Sequence, residues 1–174
     1  SVQTPGRGTW QAALGVADIA TRAPMDVADH VRVGSVTKSL TATVILQLAQ
    51  EGRLHLDDPL APYFPGVQTN RATIRQALQL TSGIADYTTD AFLNALAVVP
   101  QRVWSPAELV GLVADEPPMF PAGTDWYYSN TNYVMLGIVA EQVTGQPLGR
   151  LISDRIFTPL GMTGCSFPDA TDAT

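Results

Sequence analysis

A chain of 174 residues, 45% hydrophobic and 15% charged, has the make-up of one globular domain with a core of its own. Its formal charge of −6, with no Lys/Arg-rich stripe, argues against nucleic acid as a partner and mainly favours solubility. No apolar run reaches the roughly 18–20 residues that span a bilayer, no basic-then-apolar leader pattern occurs, and a single cysteine, Cys165, leaves no internal disulfide or Cys-based zinc cluster.

Taken in chain order, residues 9–17 alternate, with Trp10, Ala12, Leu14 and Val16 on one face, and predict a strand. Residues 18–29 hold Thr21, Pro24 and Asp26 and read as a loop. Val31 and Val33 predict a second short strand ending at Gly34. Residues 36–51 predict a helix. Leu40, Val44 and Leu48 line one side, Ile45 and Ala49 flank them, and Ala42 and Leu46 extend the apolar surface, so the helix is expected to be buried on most sides. Gly52 is placed as the residue just past its end.

A turn-rich connector runs through Pro59, Pro62 and Pro65-Gly66. Thr73 is suited to cap a helix over 74–80, which Thr81-Ser82-Gly83 stops. Ser82 reads as a turn residue. Residues 90–99 predict a short helix ended by Pro100. Ser105-Pro106-Ala107-Glu108 has serine at the cap, proline at the first helical position and an acid two residues later, predicting a helix to about residue 114. Pro117, Pro118 and Pro121 impose an extended loop. A further helix is expected from Thr131 or Asn132 to Val143, with Val134, Ile138 and Val139 inward and Gly145 as its stop. A last one covers 148–157. Trp104 and Trp126 are read as packing residues. His30 and His55 have no helical pairing, so neither a metal site nor a cofactor is expected.

The chemistry concentrates at Gly34-Ser35-Val36-Thr37-Lys38, where a helix begins. A lysine amine three residues after a serine lies on the same helical face and can take the proton of a hydroxyl too weak to attack unaided. The first turn also presents N–H groups and a positive dipole end to a developing oxyanion. Ser-x-x-Lys arises by chance in about half of chains this long, and serine is a common helix cap in any protein. The pair therefore gains weight only from motifs further along the chain.

Arg32-Val33-Gly34-Ser35-Val36-Thr37-Lys38-Ser39, Leu56-Asp57-Asp58-Pro59, Thr81-Ser82-Gly83, Pro121-Ala122-Gly123, Tyr128-Ser129-Asn130-Thr131-Asn132-Tyr133 and Pro159-Leu160-Gly161-Met162 stand in that order. The sequence thereby resembles the serine β-lactamase-like hydrolases, in particular the class C β-lactamase and D-alanyl-D-alanine carboxypeptidase branch. The resemblance implies an α+β chain. Residues 35–174 would form a mostly helical domain of the β-lactamase/transpeptidase-like fold, and residues 1–34 a β-hairpin portion of its antiparallel sheet domain.

It also implies roles. Ser35 matches the nucleophile and Lys38 the lysine that moves or orients protons beside it. Tyr128 matches the general base or acid, and Asn130 the asparagine that hydrogen-bonds the substrate amide. A lysine ammonium near a phenol favours the phenolate, and a carboxamide donates and accepts at once, which suits –CO–NH–. The implied function is a serine hydrolase or acyltransferase acting on D-alanyl-D-alanine peptides or β-lactams, outside the cytoplasm. Esterase or D-amino-acid amidase activity on the same fold, or a binding fragment without turnover, are the alternatives.

Two departures qualify the resemblance. Many relatives carry histidine directly before the Thr-Ser-Gly turn, where this chain has Leu80. Family members also continue well past Pro-Leu-Gly-Met, into more sheet, a helix and a third, Lys- or His-x-Gly strand. An N-terminal helix and first strand precede the matched part. The chain is therefore expected to be one piece of a larger enzyme, partnered by a complementary polypeptide segment as well as by its substrate.

Overall fold

The computed structural model describes residues 1–168. The chain divides into two compact units, Ser1–Gly34 and Ser35–Thr174. Residues 169–174, the end of the segment expected to form the helical domain, lie outside the described residues. The fold class is α+β.

In the first unit, β1 (Val2–Thr4) pairs antiparallel with β2 (Gly8–Trp10), in the register Val2↔Trp10, Gln3↔Thr9, Thr4↔Gly8. The strand expected over 9–17 is thus much shorter. Its alternation marks a face, but a strand also needs a partner, and β1 offers only three residues. Beyond Trp10, Val16 makes one isolated bridge with Pro24. Residues 18–29 form the expected loop. Asp18 Oδ1 accepts the N–H groups of Ala20 and Thr21, and Asp29 Oδ2 that of Asp26. Val31 and Val33 lie outside regular structure. Asp26 and Asp29 bond locally to the backbone, which closes a turn instead of extending the chain.

The second unit is built around a long central helix. The elements are α1 (Thr37–Gln50), α2 (Ile74–Leu78), α3 (Asp90–Val98), α4 (Pro106–Gly111), α5 (Asn130–Thr144) and α6 (Leu148–Ile152). Helix α5 packs against α1, α2, α4 and α6. Its Met135, Leu136, Val139 and Ala140 meet Val44, Ile45 and Leu48 of α1 and Leu151 and Ile152 of α6 in one buried cluster. Each large side chain of this set contributes about 1.5–3 kcal/mol by leaving water.

Helix α1 buries a stripe at Thr41, Val44, Ile45 and Leu48, the i, i+3, i+4, i+7 spacing of one face. It is not buried on most sides as expected: Leu46 is 50% exposed. Its apolar residues exceed what one neighbouring face covers. The stop at Gly52 is as expected. Gly52 has φ +70°, its N–H donates to Ala49, and that of Arg53 donates to Leu48, a Schellman ending. Thr73 and Ser105 cap α2 and α4 through reciprocal bonds with Gln76 and Glu108.

Several boundaries differ from expectation, among them the end of α2, at Leu78 and not at 80. Helix α4 stops at Gly111 and continues to residue 115 only as turns. Helix α5 starts at Asn130, and its inward face is Met135, Leu136, Val139 and Ala140, with Val134 and Ile138 only half-buried. After α6 the chain keeps coiling through Ser153–Phe157, but as a π-helix. Arg155 there holds Glu51, at the end of α1, by two hydrogen bonds of 2.5 and 3.1 Å. Trp104 packs edge-on to Phe92, with the Arg102 guanidinium over its ring at 3.6 Å. Trp126, read as a packing residue, is instead 59% exposed, because it rides on the loop that leads into α5.

Candidate active site

Ser35 lies in a 3-10 turn, Gly34–Val36, that runs into α1. It is not the helix cap. Val36 holds that position without a side-chain bond, and the Ser35 hydroxyl is turned to other partners. One turn on, Lys38 Nζ donates to Ser35 Oγ at 3.2 Å, as the i, i+3 spacing requires. The same ammonium donates to Asn130 Oδ1 at 2.6 Å. It lies 4.9 Å from the centre of the Tyr128 ring and 5.7 Å from that of Tyr133.

Tyr128 reaches the site from a loop that is tied down before α5 begins. Met119 N–H donates to Gly83 O, Gly123 N–H to Thr81 O, and Tyr127 N–H to Leu80 O, at 2.8, 2.7 and 3.0 Å. The Asn70 amide bridges the two loops of this arrangement, donating to Ser82 O at 2.7 Å and Phe120 O at 2.8 Å. Gly83 sits at φ +72°, and a Cβ there would lie 2.2 Å from Phe120 O. Only glycine allows the two loops to approach so closely. Leu80, where many relatives have histidine, holds φ +61°, a left-handed conformation that a bulky side chain adopts only when its surroundings impose it.

From this loop the Tyr128 hydroxyl stands 2.7 Å from Ser35 Oγ. Either hydroxyl can supply the shared proton. Hydrogen bonding from the Lys38 ammonium, then from Ser35, holds the Tyr128 phenol below its ordinary value, against burial and the Asp86 charge, which raise it. Tyr133 differs. Burial pushes its phenol up, and its hydroxyl donates to Leu78 O at 2.9 Å. The four residues singled out from the sequence, Ser35, Lys38, Tyr128 and Asn130, therefore form one hydrogen-bonded chain, although 92 positions separate Lys38 from Asn130.

Sequence reasoning missed the residues behind them. Asp86 Oδ1 accepts the backbone N–H of Asn130 at 3.0 Å and Oδ2 accepts its side-chain amide at 3.2 Å. Thr88 donates its hydroxyl to Asp86. Asp86 thus caps α5 from outside, with a negative charge at the positive end of the helix. Its one sequence signal is an acid just after the Thr-Ser-Gly turn. Ser82, read as a turn residue, also ties that turn to α5. It is fully buried, accepts the N–H of Ile84 and donates to Asn132 Oδ1 at 2.6 Å.

Known proteins match this chain along most of its length. The D-aminopeptidase of Brucella anthropi is 32% identical over 163 residues, 93% of this chain and 31% of its own length. The solved D-stereospecific amidohydrolase from Streptomyces sp. is 43% identical with a TM-score of 0.70, over 75% of this chain and 42% of that one. The penicillin-binding protein from Bacillus halodurans is 30% identical with a TM-score of 0.81, over 90% of this chain and 49% of that one. The chain therefore spans a third to a half of the length of these relatives. The Beta-lactamase family model matches residues 1–174, and the chain belongs to that family.

Proposed function

We propose that this chain carries the nucleophile half of a serine hydrolase that works through an acyl-enzyme, with Ser35 as nucleophile. The observation that carries this reading is the convergence of Tyr128 Oη at 2.7 Å and Lys38 Nζ at 3.2 Å on Ser35 Oγ. The Tyr128 phenolate, favoured by the Lys38 ammonium, takes the Ser35 proton as Oγ attacks the substrate carbonyl. The backbone N–H of Ser35 serves as one donor to the resulting oxyanion. The proton passes from Tyr128 to the leaving nitrogen as the C–N bond breaks, which leaves Ser35 acylated. Water attacks the ester in the second half-reaction, with Tyr128 again as base, and frees Ser35. Asn130 donates to the substrate amide oxygen, which replaces the long 3.4 Å contact between its Nδ2 and Thr88.

The substrates of this reading are D-alanyl-D-alanine peptides or β-lactams, met outside the cytoplasm. A second reading, hydrolysis of D-amino-acid amides by the same steps, is supported by the D-aminopeptidase and the D-stereospecific amidohydrolase among the relatives. In both, residues 1–34 are the β portion of a sheet domain and residues 35–174 the helical domain. A complementary polypeptide segment supplies the remaining sheet and a Lys- or His-x-Gly strand. That the relatives are two to three times as long supports this part of the reading.

A fluorescent penicillin is expected to label the protein at Ser35, with Ser35→Ala unlabelled. Release of the label within seconds indicates a β-lactamase, and persistence over minutes a peptidase. Turnover of D-amino-acid amides without penicillin labelling favours the second reading. If neither occurs with the complementary segment supplied, the protein is a binding module and the acyl-enzyme reading is wrong.

A further inference from the structure

The Asn130 carboxamide stands between two groups of opposite demand. On one side is the Lys38 ammonium, which only donates, at 2.6 Å from Oδ1. On the other is the Asp86 carboxylate, which only accepts, at 3.2 Å from Nδ2. A carboxamide is nearly symmetric in shape, so its orientation is set by its partners. Here both partners select the same one, with oxygen toward Lys38 and nitrogen toward Asp86. Thr88 reinforces it, donating to Asp86 and accepting from Nδ2 at 3.4 Å.

Asp86 is not needed merely to fasten its loop to α5, since three other bonds do that. Ser82 donates to Asn132 at 2.6 Å, Tyr87 N–H donates to Thr131 at 3.0 Å, and Ser129 donates to Ala85 O at 3.1 Å. Nor does capping the helix require both carboxylate oxygens, because the Asn130 backbone N–H occupies Oδ1 alone. The second oxygen is directed at the side chain that meets the lysine.

We propose that Asp86 is a positioning residue for acylation: by gripping Asn130 at backbone and side chain it keeps the carboxamide oxygen on Lys38, and so keeps the ammonium at Ser35. This rests on the acyl-enzyme reading above. Asp86 bonds to Asn130 and Thr88, not to Ser35, and it acts through Asn130.

Asp86→Asn tests it. The new amide retains an oxygen for the Asn130 N–H but brings an NH2 against Nδ2. Two donors then face each other, the grip on Nδ2 is lost, and the carboxamide is no longer held with its oxygen on the ammonium. The rate of Ser35 acylation by a fluorescent penicillin should fall on the order of 10- to 100-fold, the scale of a catalytic group displaced by about 1 Å. Asn130→Ala and the Asp86→Asn/Asn130→Ala double variant should be equally slow, because Asp86 has nothing left to orient. A further loss in the double variant, or a wild-type rate in Asp86→Asn, overturns the proposal.

The Asn130 side-chain amide resonances in a nitrogen–proton correlation spectrum give a readout free of activity. Asp86→Asn should move both and speed their exchange with solvent, and unmoved resonances overturn the proposal. If the wild-type protein is acylated by no probe with the complementary segment supplied, the hydrolase reading fails by itself, while the spectrum still decides how Asn130 is held. Circular dichroism checks folding. Should Asp86→Asn not fold, Thr88→Ala removes the hydroxyl that supports Asp86, and is expected to slow acylation less while moving the same resonances. No change in either then overturns the proposal.

Discussion

Replacing Gly83 by alanine tests whether the packed loops beneath Tyr128 hold the second unit together. Two effects add. Alanine in the left-handed region costs about 1–2 kcal/mol, and Gly83 sits at φ +72°. The added Cβ would also lie 2.2 Å from Phe120 O and 2.8 Å from Asn70 Nδ2. Both atoms belong to one bond, the 2.8 Å contact from Asn70 to Phe120, so relief requires opening the junction. Leaving this part-buried donor and acceptor imperfectly paired costs up to about 1–3 kcal/mol more. The expected loss is about 2–5 kcal/mol.

Gly52→Ala is the matched control. Its φ is +70°, almost the same, but an added Cβ there meets nothing within 4 Å. It should lose only the conformational part, about 1–2 kcal/mol. Urea unfolding monitored by circular dichroism measures both. The difference between them isolates the close approach at Phe120. If Gly83→Ala is no more destabilised than Gly52→Ala, the loops are not locked together at this point, and the account of how Tyr128 is held is wrong.

Lys38→Met removes the foremost cause that lowers the Tyr128 phenol. The groups then facing Tyr128 are Ser35, Asp86, Tyr87 and Tyr133. The limb of the acylation pH profile on which the phenolate forms should move to higher pH, and an unmoved limb would remove Tyr128 from the role of base. Leu136→Ala, at a fully buried position of α5, should cost about 2–5 kcal/mol in urea unfolding. A loss below about 1 kcal/mol would mean that α5 is not the centre of the core. Hydrogen bonding from Arg155 holds the Glu51 carboxyl below its usual range. The contribution of the pair is therefore present above the ordinary carboxylate value and is lost as pH falls through the lowered one. With Glu51 44% exposed, Glu51→Gln should cost only about 0.2–1 kcal/mol at neutral pH, and the difference from wild type should vanish in acid.

How the site is assembled was legible in part. Ser35 and Lys38 were paired on sequence grounds because three residues of helix bring them together locally. Tyr128 and Asn130 came from resemblance, since no local rule links them to residues 92 or 93 positions away. Asp86 had no periodicity to mark it, only its place just after the Thr-Ser-Gly turn. A side chain whose partner is another side chain, across a tertiary contact, leaves no trace in local pattern. The first unit shows the opposite failure, where alternation over 9–17 marked a face without showing that only Gly8–Trp10 finds a partner.

The sequence by itself determined where those helices begin or stop whose ends are satisfied locally. Caps at Thr73 and Ser105, and turns past Gly52 and Gly145, are satisfied within a few residues of chain. It also determined that a serine and a lysine share a helical turn. Only the tertiary structure decided which face of α1 and α5 is buried, because that depends on which neighbour covers it. It alone decided that a tyrosine from a distant loop reaches Ser35, and which way Asn130 points, because those distances are set by close packing at Gly83 and by the charge of Asp86.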